Sequence, residues 1–231
     1  MICNPHSNVV STPLYSDIFA ENTWGQIISA CRAKKVPDTW AADGTCYKDM
    51  EIGGRNYRID IIGKNHDDYA DGSGKAPLTF QMHDCYDDLM EMNAVNTNSG
   101  GWAYCAMRGE HLPVILDLMP AEVRAAIREV WKETSAGSSQ SSIQTTDDKL
   151  FLLSEIEIFG STTVSFEGEG AQYDYYKAGN SPVKKCSGSD NSWWGRSPYP
   201  DNAAFALADS TGSADAGVAS DGNGVAFGFC F

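Results

Sequence analysis

WWGRSPYPDNAAFALADSTGSADAGVASDGNGVAFGFCF, residues 193–231, is the stretch whose reading decides the fold. Its two ends are rich in core residues. WWGRSPY is bulky and aromatic. In GVAFGFCF, Val225, Phe227, Phe229 and Phe231 alternate with Ala226, Gly228 and Cys230. Large side chains on one side and small ones on the other describe a central strand buried on both faces. The middle, Asp201 to Gly224, is nearly all Ala, Asp, Ser, Gly, Asn and Thr. Only Phe205, Leu207 and Val218 break that pattern. Phe205 and Leu207 alternate with Ala204, Ala206 and Ala208, which predicts a strand with its alanines facing outward. Gly212, Gly222 and Gly224 fall where turns between short strands belong.

The vocabulary of this middle stretch is itself informative. It contains no Lys, Glu, Gln, Met or Trp, residues whose codons end in a purine. Its common residues are all reached from an asparagine codon by changing adenines alone. Adenine-directed mutagenesis would leave such a segment.

Upstream, helical and strand periods follow one another without a βαβ alternation, an internal repeat or a linker after residue 22. TWGQIISACRAK places Trp24, Ile27, Ile28 and Cys31 at helical spacing, with Asn22 or Thr23 as the cap. MEIGGRNYRIDIIG reads as a hairpin turning at Gly53-Gly54, and PLTFQMHD as a short strand. NAVNTNSGG is a polar loop leading to a helix at Trp102. Pro120 and AEVRAAIREVWKETS predict a helix with Val123, Ile127, Val130 and Trp131 on one stripe. SAGSSQSS reads as a loop, KLFLLSEIEIFG as a strand, and AQYDYYKAG as a short aromatic helix or turn. The expectation is an α+β fold, with helices in the first two-thirds and short, mostly antiparallel strands and long loops in the last third. Residues 1–21, rich in Asn, Ser and Pro, read as an added arm before a single domain, 22–231.

At 42% hydrophobic and 11% aromatic residues the chain can bury a real core. A net charge of −14 and the lack of any basic run beyond Lys184-Lys185 argue against nucleic-acid partners. No stretch approaches the ~20 apolar residues of a membrane span, and the N-terminus lacks the pattern of a signal peptide. Seven cysteines without C-x-x-C read as small buried thiols, with one long-range disulfide left open.

Several clusters invite a chemical reading. NHDDYADGSGK gathers His66, Asp67, Asp68 and Asp71 near glycines. The spacing misses the EF-hand loop, so a solvated acidic turn is expected rather than a calcium site. Glu155 and Glu157, at i and i+2 on the expected strand, would share a face as a carboxylate pair or as buried acceptors tying loops together. Trp193-Trp194 reads as core packing rather than a stacking platform, because neighbours on a strand point to opposite faces. No H-E-x-x-H, G-x-S-x-G or phosphate-binding glycine loop is present.

NTWGQIISACRAK, KNHDDYADGSGKAPLTFQMHDC, NTNSGGWAYCAMRGEHLP, LMPAEVRAAIREV, DKLFLLSEIEIFGS, QYDYYKAGNS, WWGRSPY and GVAFGFCF together carry a resemblance. In that order they resemble the variable proteins of diversity-generating retroelements of gut bacteria and their phages. The resemblance implies a C-type-lectin-like fold related to formylglycine-generating enzymes. It implies a fixed scaffold and a surface rewritten at adenines by an error-prone reverse transcriptase. It places the variable, ligand-binding positions at Gly195, Asp201, Asn202, Ala203, Ala204, Ala206, Ala208, Asp209, Thr211, Asp215, Ala216, Gly217, Val218, Asp221 and Asn223. The scaffold positions are Trp193, Trp194, Arg196, Phe205, Leu207, Gly212, Phe227 and Phe229. The partner it implies is a variable ligand such as a cell-surface protein or glycan, bound from a phage virion or a bacterial surface. The calcium-binding triads of sugar-binding lectins are missing from the sequence, so no metal or cofactor is expected. The expected function is non-enzymatic binding. Two rivals stand beside it: an oxidase or other enzyme using Cys186, His66 and the Glu155 region, and a structural virion component assembled through residues 1–21.

Overall fold

A computed structural model describes residues 15–201 and 203–231. Helix α1 (Trp24–Arg32) is closed by the Thr23 hydroxyl, which accepts the Gln26 amide at 3.2 Å while the Gln26 side chain accepts the Thr23 amide at 2.8 Å. Strands β1 (Tyr47–Ile52) and β2 (Arg55–Lys64) form the expected hairpin, and Gly53 and Gly54 both take the positive φ such a turn requires. Then come β3 (Leu78–Met82), β4 (Tyr86–Met90), α2 (Gly101–Tyr104), a π-helical turn (Met107–His111), α3 (Leu112–Leu118) and α4 (Ala121–Arg124). A long hairpin, β5 (Val130–Gly137) with β6 (Gln140–Asp148), precedes β7 (Leu150–Phe151). The rest of the chain holds α5 (Glu155–Phe159), α6 (Asp174–Lys177), β8 (Lys184–Cys186), β9 (Ser189–Asn191), β10 (Trp193–Pro198), β11 (Ala204–Ala208), β12 (Ala214–Val218), β13 (Asn223–Val225) and β14 (Gly228–Cys230).

Two five-stranded sheets organise these elements. One runs β1-β2-β3-β14-β7 and the other β12-β11-β10-β13-β4. GVAFGFCF joins them, so it is two strands rather than the single strand the alternation predicts. Asn223–Val225 pairs with β4 and β10; Gly228–Cys230 pairs with β3 and β7. Between them, the Ala226 carbonyl accepts from Gln81 Nε2 at 3.0 Å and the Phe227 carbonyl accepts from the Met82 amide at 3.2 Å. The crossing therefore leaves neither carbonyl bare. On one face of β14, Phe229 stacks on Phe80 at 5.2 Å, and Phe231 packs with Phe80 and Trp24. The small residues Gly228 and Cys230 face the other way: a β-carbon at 228 would lie 2.8 Å from the Phe151 ring.

The class is mixed α+β and rich in sheet. The expected segregation fails, since α5 and α6 lie late in the chain while β1 to β6 lie early. The predicted helix through Trp131 stops at Arg124, and from Val130 the chain is strand. Lys132 and Thr134 are buried and alternate with exposed Trp131 and Glu133, so period two overrides the apparent helical stripe. SAGSSQSS is not a loop but a hairpin end, turning through Gly137, Ser138 and Ser139 at positive φ. The predicted strand KLFLLSEIEIFG is strand only at Leu150–Phe151; Ser154 then starts α5. AQYDYYKAG does contain its short helix. Tyr15–Glu21, the end of the expected arm, packs onto the domain: Phe19 is buried, edge-on to Trp40. The first fourteen residues of that arm lie outside the described ones. Among the described residues no helix is long and apolar enough to cross a membrane.

Candidate functional site

The C-terminal sheet divides the residues of the 193–231 stretch into two groups. Trp193, Trp194, Arg196, Phe205, Leu207, Phe227 and Phe229 are buried. Both tryptophans spend their indole N–H on main chain, Trp193 on Pro182 at 2.8 Å and Trp194 on Met90 at 2.7 Å. Neither offers a platform, as the sequence suggests. At the sheet's edge lies β12, paired to β11 from Ala204↔Val218 to Ala208↔Ala214. Thr211, Asp215, Val218 and Asp221 are exposed, and Asp201, Ala203, Asp209, Ala216, Gly217 and Asn223 are half-buried. Most of them lie on this edge strand and the turns at its ends, while Asp201 and Ala203 lie in the turn between β10 and β11 and Asn223 begins β13. Asn202 lies outside the described residues.

Four of the expected outward positions do not face solvent. Gly195, Ala204, Ala206 and Ala208 are buried. A β-carbon on Gly195 would press on the Ala206 and Leu153 carbonyls at 3.1 Å. The alternation around Phe205 thus reports an inner strand covered on both faces, where alanine allows close packing, and not a half-exposed one.

Two other positions hold loops in place. One Asp209 carboxylate oxygen accepts the Thr211 amide at 2.8 Å, the Thr211 hydroxyl at 2.7 Å and the Ser213 amide at 2.9 Å. These bonds to the charged form lower the Asp209 pKa. Asp201 accepts the Ala203 and Ala204 amides at 2.7 and 3.0 Å. The buried Asn98 holds the same turn from outside, donating to the Tyr199 and Ala204 carbonyls at 2.9 and 2.8 Å. Sequence reading missed Asn98, because a lone Asn in a polar loop carries no local mark of burial.

A second feature was only partly visible in the sequence. Asp67, Lys132, Glu157 and Arg196 meet inside the molecule, all nearly inaccessible. Lys132 Nζ donates to Asp67, to Glu157 at 3.2 Å and to the Tyr173 hydroxyl at 2.8 Å. Arg196 forks onto both oxygens of Glu157 and gives its remaining N–H groups to Thr134 and the carbonyls of Leu152, Glu133 and Glu169. Asp67 also accepts from Thr79 at 2.5 Å and from Tyr173 at 3.0 Å. Burial pushes the Asp67 pKa upward, but the Lys132 ammonium overrides it and holds the carboxyl at about 2. Glu157 is likewise lowered against its burial, by Arg196 and then Lys132. The acidic turn is therefore solvated only in part: Asp68 and Asp71 are exposed and pair with Lys75 and Arg128, while Asp67 is core.

A cleft of about 490 Å³ opens beside this cluster, lined among others by His66, Asp68, Trp131, Lys132 and Arg196. His66, stacked on Tyr173 at 4.0 Å, has its pKa lowered by burial. One ligand atom each from His66, Asp67 and Glu157 lie within 4.8 Å of one another, the reach of a cation. The Lys132 ammonium already bridges the two carboxylates, and two cations balance two anions. The cluster is neutral as it stands and suits a structural role. Of the enzyme candidates, His66 lines this cleft, and so does Glu157 of the Glu155 region, whereas Glu155 itself and Cys186 do not. Glu155 sits on α5, not on a strand, and its oxygens take the Thr163 and Val164 amides and the Thr163 and Ser165 hydroxyls. It ties that loop to the helix, one of the two roles expected of it.

Residues 79–230 match the model of the DUF6273 family, a domain of unknown function, and the chain belongs to that family. No curated protein and no solved structure matches it.

Proposed function

We propose that this DUF6273 member is a non-enzymatic binding protein, with a C-type-lectin-like scaffold and a C-terminal surface diversified by a retroelement. The supporting observation is the partition of residues 193–231. The bulky residues of that stretch other than the exposed Tyr199 are buried, while Thr211, Asp215, Val218 and Asp221 gather on an edge strand and its turns. Loops and edge strands tolerate substitution where cores do not, so such a surface can change while the fold persists. The residues on it are small and several are acidic, within a chain of net charge −14. That favours a cell-surface protein or glycan over a polyanion as partner, met from a phage particle or a bacterial surface.

Sequencing the last ~120 bases of the gene across a natural population tests this reading; the ~40 codons covered are those of the C-terminal sheet strands and turns. The expected result is variation confined to codons of exposed and half-exposed positions between 201 and 223. The codons for Trp193, Trp194, Arg196, Phe205 and residues 224–231 should stay fixed. Uniform drift along the stretch, or none, would overturn the proposal.

A further inference from the structure

Six cysteines lie among the described residues, all free and buried, and most stand alone. Cys105 donates to the Trp102 carbonyl, Cys46 to the Thr39 carbonyl, and Cys230 lies against Asp67 and Thr79. Cys85 and Cys186 differ, for they meet across the fold. The Cys85 amide donates to the Lys185 carbonyl at 2.8 Å, and the Lys185 amide donates to Asp84 at 2.9 Å. Lys184 Nζ fastens the same strand to the Met82 and His83 carbonyls at 2.6 and 2.7 Å. These bonds set β8 and the link between β3 and β4 side by side. Gly224 reports the position of the sulfurs. A β-carbon there would lie within 2.5 Å of both Cys85 Sγ and Cys186 Sγ, so the two atoms are no more than about 5 Å apart. A cleft of about 210 Å³, lined by Tyr57, Arg58, Asp84, Cys85 and Lys185, opens over Cys85.

We infer that Cys85 and Cys186 are an oxidisable dithiol that closes to a reversible intramolecular disulfide when a peroxide enters the cleft over Cys85. One thiolate attacks a peroxide oxygen, the O–O bond breaks, and the first water leaves once hydroxide takes up a proton. The sulfenic acid formed is then attacked by the neighbouring sulfur. The S–O bond breaks, the S–S bond forms, and the second water carries off the remaining thiol proton. Two thiols are oxidised and one peroxide is reduced to two waters. The two sulfurs share a hydrogen bond, and Cys85 is the one that lines the cleft. The bridge would pin the β8–β9 hairpin to the root of β4, beneath Gly224 of β13.

The test treats the purified full chain with hydrogen peroxide, blocks remaining thiols with iodoacetamide, and maps peptides without reductant. The expected product is lighter by about 2 Da before alkylation and yields one linked peptide pair, Cys85 with Cys186. The other cysteines are alkylated, dithiothreitol reverses the change, and oxidised protein melts about 5 °C or more higher because a long loop is closed. In the Cys85→Ser and Cys186→Ser variants no linked pair forms, and dimedone traps a sulfenic acid on the remaining thiol of at least one of them. Wild-type protein in which both cysteines remain alkylatable, overoxidise singly or pair elsewhere would overturn the inference. That reading of the wild type holds even if neither variant folds.

Discussion

Lys132 is 2% exposed, and its ammonium is shared by Asp67, Glu157 and Tyr173. Replacing it with methionine keeps an apolar stem but removes the ammonium that sits over the Phe151 ring, and leaves two buried carboxylates short of a cation. The expected cost for Lys132→Met is about 3–5 kcal/mol at pH 7, read by urea unfolding. The pH dependence has a definite sign. Asp67 titrates at about 2 in the fold and near ~3.9 in an unfolded chain, so its ionisation stabilises the native state above that unfolded value. That contribution falls away as the pH drops from about 4 through 2. The gap between wild type and variant should narrow over that window; a gap that stays constant down to pH 2 would show that the Asp67–Lys132 pair does not carry the stability. None of this was legible locally. Asp67 and Asp68 are equivalent in NHDDYADGSGK, and what separates them is a lysine 65 residues later in a segment that reads as helix. Buried ion networks are assembled by tertiary structure, and sequence periodicity shows only the apolar residues around them.

Helix α5 illustrates the same point one level up. Its start was readable: Ser154-Glu155-Ile156-Glu157 is a capping box. Ser154 Oγ accepts the Glu157 amide at 3.2 Å, and Glu157 accepts the Ser154 amide at 3.0 Å. The apolar run before it, Leu150 to Leu153, made the whole segment look like a strand, and four consecutive buried apolar residues fit either element. Ser154→Ala removes the cap acceptor and the donor to the Glu169 carbonyl, so a loss of about 1–2 kcal/mol is expected by thermal or urea unfolding. Glu155→Gln puts an amide NH₂ against groups that themselves donate. Amide exchange at Thr163 and Val164 should then quicken by about tenfold or more while the β5–β6 hairpin stays protected. Unchanged exchange at those two amides would mean the loop is held by something other than Glu155. Among the elements that were read correctly, α1 and the β1–β2 hairpin have strong local signals in the Thr23–Gln26 cap and the Gly53-Gly54 turn.

At the scale of the molecule, the last eight residues join the two sheets. Removing Phe229–Phe231 takes out β14, which lies between β3 and β7, and frees the Tyr69 hydroxyl that donates to the Phe231 carbonyl at 2.7 Å. That truncation should give insoluble protein, and a soluble variant with an ordinary melting transition would contradict the two-sheet account. The sequence showed this segment to be core; it did not show that one alternating run serves two sheets, because alternation records side-chain direction and not strand partners. The same limit explains the alanines of β11. Alternation placed Ala204, Ala206 and Ala208 on an open face, yet Ala206 is 1% exposed while Thr211, on the neighbouring turn, is exposed. A pair of variants separates the two readings. Thr211→Tyr should shift the melting temperature by no more than about 1–2 °C, the range of ordinary surface changes. Ala206→Tyr must place a ring where the inner strand has room for a methyl group, and overpacking of about 1–3 kcal/mol or more should lower melting by several degrees or block folding. If both variants melt like wild type, β11 has an open face and its alanines return to the proposed binding surface. If only Thr211→Tyr does, the surface that can be diversified is confined to β12 and its turns.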